Sequence, residues 1–513
     1  MSDVASDGDE PVNLTFAAAT SGPTVLVMTV DEALEQCGDP GTFVWRWFFL
    51  LGSFWIWSGA ASLHIVFTTD VPKIPGCIHV DDCPLARHDA SAVLEFQLSS
   101  SAIGASQSAL FVGYIVGNAF FGKLSDARGR RAALLVSTSM FCVACFLIAF
   151  AQSALMFASS VWLLGFTIGG VGLVSFVLAA EFWAPRTRSL LGAIWHQFFS
   201  IGIMLLALLS YFLGLRGLSW RGIPLVIGAS GIWMVIVASC CHESPRWLCS
   251  NGSTAEAMEV LHFVANCSGQ TLPVSAEMKV TAAKDPSAAG SIGHMCRTMP
   301  TAKTTARVAA AWFLVGFAYY GISMDAANLG PSLPMSVFLS GLIEVPFNFA
   351  AQPILSRGRR WGTAGFFLVT GVCCCLTAVS WIPDWLELPL AVTGKGASQG
   401  AFCAVYFLAA ELFPTSHRNL GMGLASLCAR IASTVAPFVV LLAEIWKPMP
   451  LVVFGSSAFL ALCVVLPLRE TSSAPLCDSI EEYERTEADH EGTFRRFQDA
   501  EHGTELQSGS ARE

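Results

Sequence analysis

Charge is what this sequence has least of. Asp, Glu, Lys and Arg make up only 13% of it, against 54% hydrophobic residues, and mean hydropathy is +0.57. A water-soluble domain of this size needs more polar surface than that to cover its core, so the composition excludes an ordinary soluble fold. The charge that exists sums to −9, which speaks against a nucleic-acid partner. No G-x-x-x-x-G-K-[ST] loop occurs, so nothing cradles a nucleotide phosphate. No nucleophile–base constellation stands out either, and neither an enzyme activity nor a cofactor is expected. The 17 cysteines have no metal-ligand spacing. Most, such as Cys240, Cys241 and Cys373, sit in apolar runs where a thiol behaves as a small hydrophobe. The opening MSDVASDGDE lacks the basic stretch of a signal peptide.

What is abundant is apolar sequence in runs of about 20 residues, the length that crosses a bilayer as a helix. Such runs fall at 43–67, 104–124, 132–151, 156–180, 190–213, 221–241, 306–327, 333–354, 362–382, 388–410, 420–443 and 449–468. Inside lipid each must satisfy its own backbone, so all twelve are expected to be helices. Basic residues gather after the second run (Lys123, Arg128, Arg130, Arg131), the fourth (Arg186, Arg188), the eighth (Arg357, Arg359, Arg360) and the tenth (Arg418). The positive-inside rule then makes those loops and both termini cytoplasmic. The expected layout is a cytoplasmic segment 1–42, a six-helix bundle over 43–248 with an outer loop at 68–103, a cytoplasmic linker 249–305, a second bundle over 306–470 and a disordered cytoplasmic tail 471–513. Cys77 and Cys83 share the outer loop, where a disulfide is expected.

The two halves repeat each other at an offset of about 230 residues. Gly129, Arg130 and Arg131 recur as Gly358, Arg359 and Arg360. Glu181 with Arg188 recurs as Glu411 with Arg418, and Glu243 as Glu470. Three matched pairs in one order imply two parallel six-helix units.

The run GKLSDARGRR over residues 122–131 resembles the signature loop of the major facilitator superfamily, G-x-x-x-D-R/K-x-G-R-R. In it Gly122, Asp126, Arg128, Gly129, Arg130 and Arg131 occupy motif positions, with Ala127 departing from the usual basic residue. Gly129 allows a tight turn, and Asp126 suits a neighbouring helix N-terminus. The arginines are expected to pair with Glu181, and Glu181 with Arg188, as a cytoplasmic charge latch between the halves. Glu243, Arg246, Arg359, Glu411, Arg418 and Glu470 extend it, the second copy being weaker because Leu355 stands where the acid would be.

ESPRWL at 243–248 and AELFPTSHRN at 410–419 resemble both sugar porters and organic-ion transporters. The stretches YYG at 319–321, DAANLG at 325–330, SGLIEVP at 340–346 and DEALEQCG at 31–38 closely resemble the organic cation, anion and zwitterion transporter family. The resemblance covers about residues 30–470. It implies an all-α membrane protein of twelve transmembrane helices in two pseudo-symmetric bundles, carrying small organic ions at the plasma membrane by symport, antiport or facilitated exchange with a counter-transported solute or coupling ion.

A charge at mid-bilayer costs about 2.5–3.5 kcal/mol, so each one needs a reason. Arg430, Glu344 and Lys395 are such charges, with Lys395 expected in the outer third of its helix. The resemblance implies that the Arg430 position is acidic in cation carriers and basic in anion and carnitine-type carriers. Arg430 is thus expected to meet a substrate carboxylate or, structurally, Glu344. Asn348 stands where anion carriers often have lysine. Tyr319, Tyr320, Trp195, Gln197, Asn328 and Gln399 are further candidates to line the cavity, with His196 and His64 as protonation sites. GYIVG at 113–117 reads as a close helix contact. Organic carboxylates are the expected substrates. A carnitine-like zwitterion, an organic cation, a sugar or a non-transporting sensor remain alternatives.

Overall fold

The computed structural model describes residues 26–38, 40–70, 90–215, 219–273, 276–278, 292–325, 332–379, 381–414, 417–472, 477, 479–490 and 492. Twelve helices dominate it: α1 (Thr42–Thr68), α2 (Ser100–Arg128), α3 (Arg130–Ala149), α4 (Ala154–Ala180), α5 (Pro185–Leu215), α6 (Gly222–Cys240), α7 (Met299–Met324), α8 (Leu333–Arg357), α9 (Arg359–Leu376), α10 (Asp384–Leu412), α11 (Arg418–Val440) and α12 (Met449–Val465). Each coincides with one of the apolar runs, usually extended by polar turns at its ends.

Within the first half, α2 and α3 pack on α4, α3 on α6, and α1 on α5. Within the second, α8 and α9 pack on α10, α9 on α12, and α7 on α11. The pairings are the same six helices apart, so the repeat seen in the loops is a repeat of packing. The halves meet where α5 faces α8 and α2 faces α11.

Small residues permit the tightest approaches. A Cβ at Gly113 would strike the Trp162 carbonyl, and one at Gly117 the Phe166 carbonyl. From the other side, Gly165 faces Leu110 in the same way. The α2–α4 seam is therefore a reciprocal small-residue contact, as the 113–117 pattern suggests, with a partner row on α4.

Three segments are more ordered than the sequence suggests. Strand β1 (Leu26–Met28) pairs in parallel with β2 (Ala276–Met278), tying the N-terminal segment to the linker. Helix Val30–Gln36 follows, closed by a capping box in which Glu32 N donates to Thr29 Oγ1 at 3.3 Å and Thr29 N to Glu32 Oε2 at 2.7 Å. In the linker, helix Thr254–Cys267 buries Ala257, Leu261, Val264 and Ala265, a stripe at helical spacing. Its Cys267 carbonyl accepts from Thr42 Oγ1 at 2.6 Å. The tail, expected to be disordered, is helical over 480–490. Tyr483 is fully buried there, and Glu487 pairs with buried Arg469 at 3.1 Å. One aromatic anchor and one buried ion pair hold a stretch whose average composition is polar.

Candidate functional site

At one end of the molecule the repeated loops form two matching clusters. In the first half, Glu243 sits under the start of α3. Its Oε1 accepts from Arg130 N at 2.9 Å and its Oε2 from Arg131 N at 3.1 Å. A carboxylate here satisfies free N–H groups and meets the positive end of the helix dipole. Arg130 reaches Glu181 through Nη2 at 3.0 Å and Asp126 through Nη1 at 2.8 Å. In the second half Glu470 accepts from Arg359 N at 2.7 Å and Arg360 N at 3.2 Å, and Arg359 Nε meets Glu411 at 3.0 Å. Burial raises the Glu470 carboxyl, but backbone N–H donors from Ser472, Arg359, Arg360 and Thr471 outweigh it and hold its pKa below the usual value. Leu355 is buried, so Arg359 lacks the third partner that Asp126 gives Arg130.

Four expectations change. The helix N-terminus is capped by Glu243, while the Asp126 side chain is 79% exposed and serves only Arg130. Arg188 pairs with Asp31 at 3.3 Å instead of Glu181. Asp31, from the N-terminal helix, also takes Arg246 Nη2 at 2.5 Å. That hydrogen bond lowers the Asp31 pKa against the raising effect of burial, so the clasp contributes above the ordinary carboxylate range and is lost as pH falls through the lowered value. Arg418 does not repeat this: its Nε and Nη2 are buried without a hydrogen-bond partner among the described residues. Finally, the ion pairs named here each lie within one half, so the clusters stiffen the halves separately. Arg128 is exposed, and a Cβ at Gly122 would meet only Leu173 at an ordinary 3.6 Å.

Gly129 is the position this design cannot vary. Its φ is +96°, and a Cβ would run into Glu243 Oε2. Its counterpart Gly358 has φ −179°, with Glu470 3.4 Å from the would-be Cβ. Gly129→Ala is expected to cost about 1–3 kcal/mol and Gly358→Ala little. Thermal unfolding of the two purified variants in detergent checks this; equal melting points would contradict it.

The second site is a cavity of about 560 Å³ between the halves, counting its open part. Its lining is Trp55, Ser58, Tyr114, Gly172, His196 and Phe199 from the first half, and Tyr319, Tyr320, Gln399, Phe402, Tyr406 and Arg430 from the second. Arg430 Nη1 donates to Tyr320 Oη at 2.5 Å, and its guanidinium lies 4.2 Å from the Tyr114 ring centre. Arg430 Nε is buried without a partner.

Glu344 does not meet Arg430. It is fully buried, and its Oε1 forms an ion pair with Lys395 Nζ at 2.9 Å and accepts from Tyr319 Oη at 2.9 Å. Its Oε2 accepts from Ser200 Oγ at 2.5 Å, across the interface between halves. Lys395 Nζ also lies over the Tyr319 ring, 2.9 Å from its centre. Lys395 is therefore at the level of Glu344, and not in the outer third. One turn on, Gln399 Nε2 donates to Asn348 Oδ1 at 3.1 Å. Residues 344 and 348 on α8 thus face 395 and 399 on α10.

Trp195 is fully buried among Phe48, Trp55, Phe176 and Trp183, away from the cavity lining. Gln197 is buried and outside that lining too. His64 is buried, with Nδ1 on the Ala61 carbonyl at 2.7 Å. Asn328, Cys77 and Cys83 lie outside the described residues. Tyr114, Tyr406, Trp55, Ser58 and Ser200 were not singled out from the sequence. Only the position of Tyr114 between two contact glycines hinted that one face of α2 turns inward.

Two pseudo-repeated six-helix bundles around a polar, aromatic-lined central cavity make this a membrane transporter of the major facilitator type. A model of the family described as sugar (and other) transporter matches residues 75–483. A Xenopus laevis protein called solute carrier family 22 member 15-like is 31% identical over 89% of this chain and 96% of its own length. Mouse solute carrier family 22 member 7 is 32% identical over 74% of this chain and 71% of its own. The Drosophila melanogaster organic cation transporter protein is 30% identical over 77% and 74%. The inward-open xylose transporter XylE from E. coli superposes with a TM-score of 0.64 at 16% identity, covering 86% of this chain and 99% of that one, a likeness of fold alone. The chain belongs to the sugar (and other) transporter family of the major facilitator superfamily, among the organic-ion carriers of solute carrier family 22.

Proposed function

We propose that this transporter carries small organic carboxylates by alternating access at the plasma membrane. The observation behind this reading is the charge count at mid-depth. Glu344 is neutralised by Lys395, and Arg430 is surrounded by tyrosines with no carboxylate among the partners of its guanidinium. The trio carries a net positive charge beside a cavity, which attracts an anion. The planar fork of Arg430 suits a carboxylate, and the surrounding aromatics suit an apolar body.

The basic loops favour a cytoplasmic position for the Gly129 and Gly358 end and for both termini. Contacts between the halves support an inward-facing state. They run from Gly104 against Phe438, through Ser108 Oγ donating to the Thr434 carbonyl at 2.7 Å, to Ser200 against Glu344, all in the outer part of the helices under that orientation. Gly423, near the cytoplasmic start of α11, has open space beside it. The carboxylate reading is tested by uptake of labelled aromatic carboxylates, quaternary ammonium ions, carnitine and hexoses into proteoliposomes. Carboxylate flux well above the others is expected, and selective cation or hexose flux contradicts it.

A further inference from the structure

The two walls of the cavity offer different chemistry. The second half presents the guanidinium of Arg430. The first half presents no charge, but two polar atoms. Ser58 is 3% exposed, and its Oγ has no hydrogen-bond partner among the described residues. His196 is partly exposed although it stands mid-helix between two bundles, so its open face is the cavity.

The histidine's tautomer follows from its neighbour. His196 Nδ1 lies 3.1 Å from the Gly192 carbonyl oxygen. A carbonyl only accepts, so Nδ1 carries the hydrogen and the neutral ring keeps its lone pair on Nε2. The ring is held by Trp55 at 5.7 Å and Tyr406 at 6.0 Å between ring centres. Trp55 is one helical turn from Ser58, so the histidine acceptor and the unsatisfied hydroxyl share one wall. Buried polar atoms without partners are costly unless something fills them.

We propose that Ser58 and His196 form a specificity subsite for a hydrogen-bond donor at the far end of the substrate. This rests on the carboxylate reading and narrows it. The preferred substrates are carboxylates bearing a hydroxyl or ammonium group, with the carboxylate on Arg430 and the donor on the opposite wall. A simple carboxylate of the same size leaves Nε2 and Oγ unpaired, and a site built around a hydrogen bond discriminates strongly against the analogue lacking it.

The test compares 3-phenylpropionate, phenyllactate and phenylalanine, which share an aromatic body and a carboxylate but differ in the donor, with phenethylamine as the cation. Uptake is measured in proteoliposomes, and binding to purified protein is read in parallel as a melting shift. In the wild type, kcat/KM for phenyllactate or phenylalanine is expected to exceed that for phenylpropionate by about tenfold or more. His196→Phe and Ser58→Ala should each bring that ratio towards one. His196→Gln, which keeps an acceptor, should retain most of it. Wild-type protein that takes phenylpropionate as well as phenyllactate overturns the subsite but leaves the carboxylate reading standing. So does a His196→Phe variant that slows all three carboxylates by the same factor. Selective handling of phenethylamine, or no response to any carboxylate, overturns both.

Discussion

Replacing Arg430 with Asp is expected to lower carboxylate uptake by more than a hundredfold. The guanidinium is the one mid-depth charge whose surroundings in this structure are tyrosines instead of an acid. Reversing it removes a charge-assisted pair with the substrate and sets a like charge against the carboxylate. Losing one partner of a desolvated pair typically costs about 2–5 kcal/mol, and each 1.4 kcal/mol is about tenfold in affinity. Arg430→Lys should fall between. It keeps the charge but loses the planar fork and the stacking on Tyr114. Because Glu344 is held by Lys395, Tyr319 and Ser200, the substitution breaks no internal ion pair of Arg430, and the variant is expected to fold. Initial uptake rates at matched protein density check this, with melting as the control for folding. A well-folded Arg430→Asp protein moving carboxylates at the wild-type rate makes Arg430 structural, and the carboxylate assignment falls with it.

The architecture was legible because lipid simplifies it. A run of about 20 apolar residues has one stable conformation in a bilayer, so the twelve helices could be read in order. The repeated Gly-Arg-Arg and Glu positions were legible for a similar reason. Arg130 with Glu181, and Arg359 with Glu411, sit at loop turns whose geometry the two halves share. Rotation about a helix axis was much harder to read. Successive residues differ by about 100° in direction, so Trp195 enters the packed core while His196, one residue later, opens on the cavity. Depth estimates failed Lys395 for a related reason. Its level depends on where α10 begins, and that helix starts at Asp384, four residues before the apolar run does. Partners distant in sequence were not legible at all. Nothing local to Arg188 or Arg246 announces Asp31 from the N-terminal helix as their shared acid.

Removing Lys395 is expected to be the most destabilising single change in the second half. Lys395→Met leaves Glu344 fully buried with two neutral donors, Tyr319 and Ser200, and no counter-charge. Breaking one side of a buried ion pair costs about 3–5 kcal/mol, because the remaining charge stays desolvated and uncompensated. The contact of Nζ with the Tyr319 ring is lost as well. Restoring neutrality should recover most of the loss, since an apolar or neutral replacement of both partners is often close to isoenergetic with the pair. Lys395→Met with Glu344→Gln is therefore expected to melt near the wild type, and Lys395→Met alone far below it. Thermal unfolding in a single detergent measures all three proteins. The comparison also separates Lys395 from Arg430. If Lys395 serves chiefly to neutralise Glu344, the double variant keeps carboxylate flux, because Arg430 still supplies the positive charge facing the cavity. Lys395→Met protein that melts like the wild type means Glu344 is already neutral by protonation, and the net positive charge at mid-depth would then be larger than one.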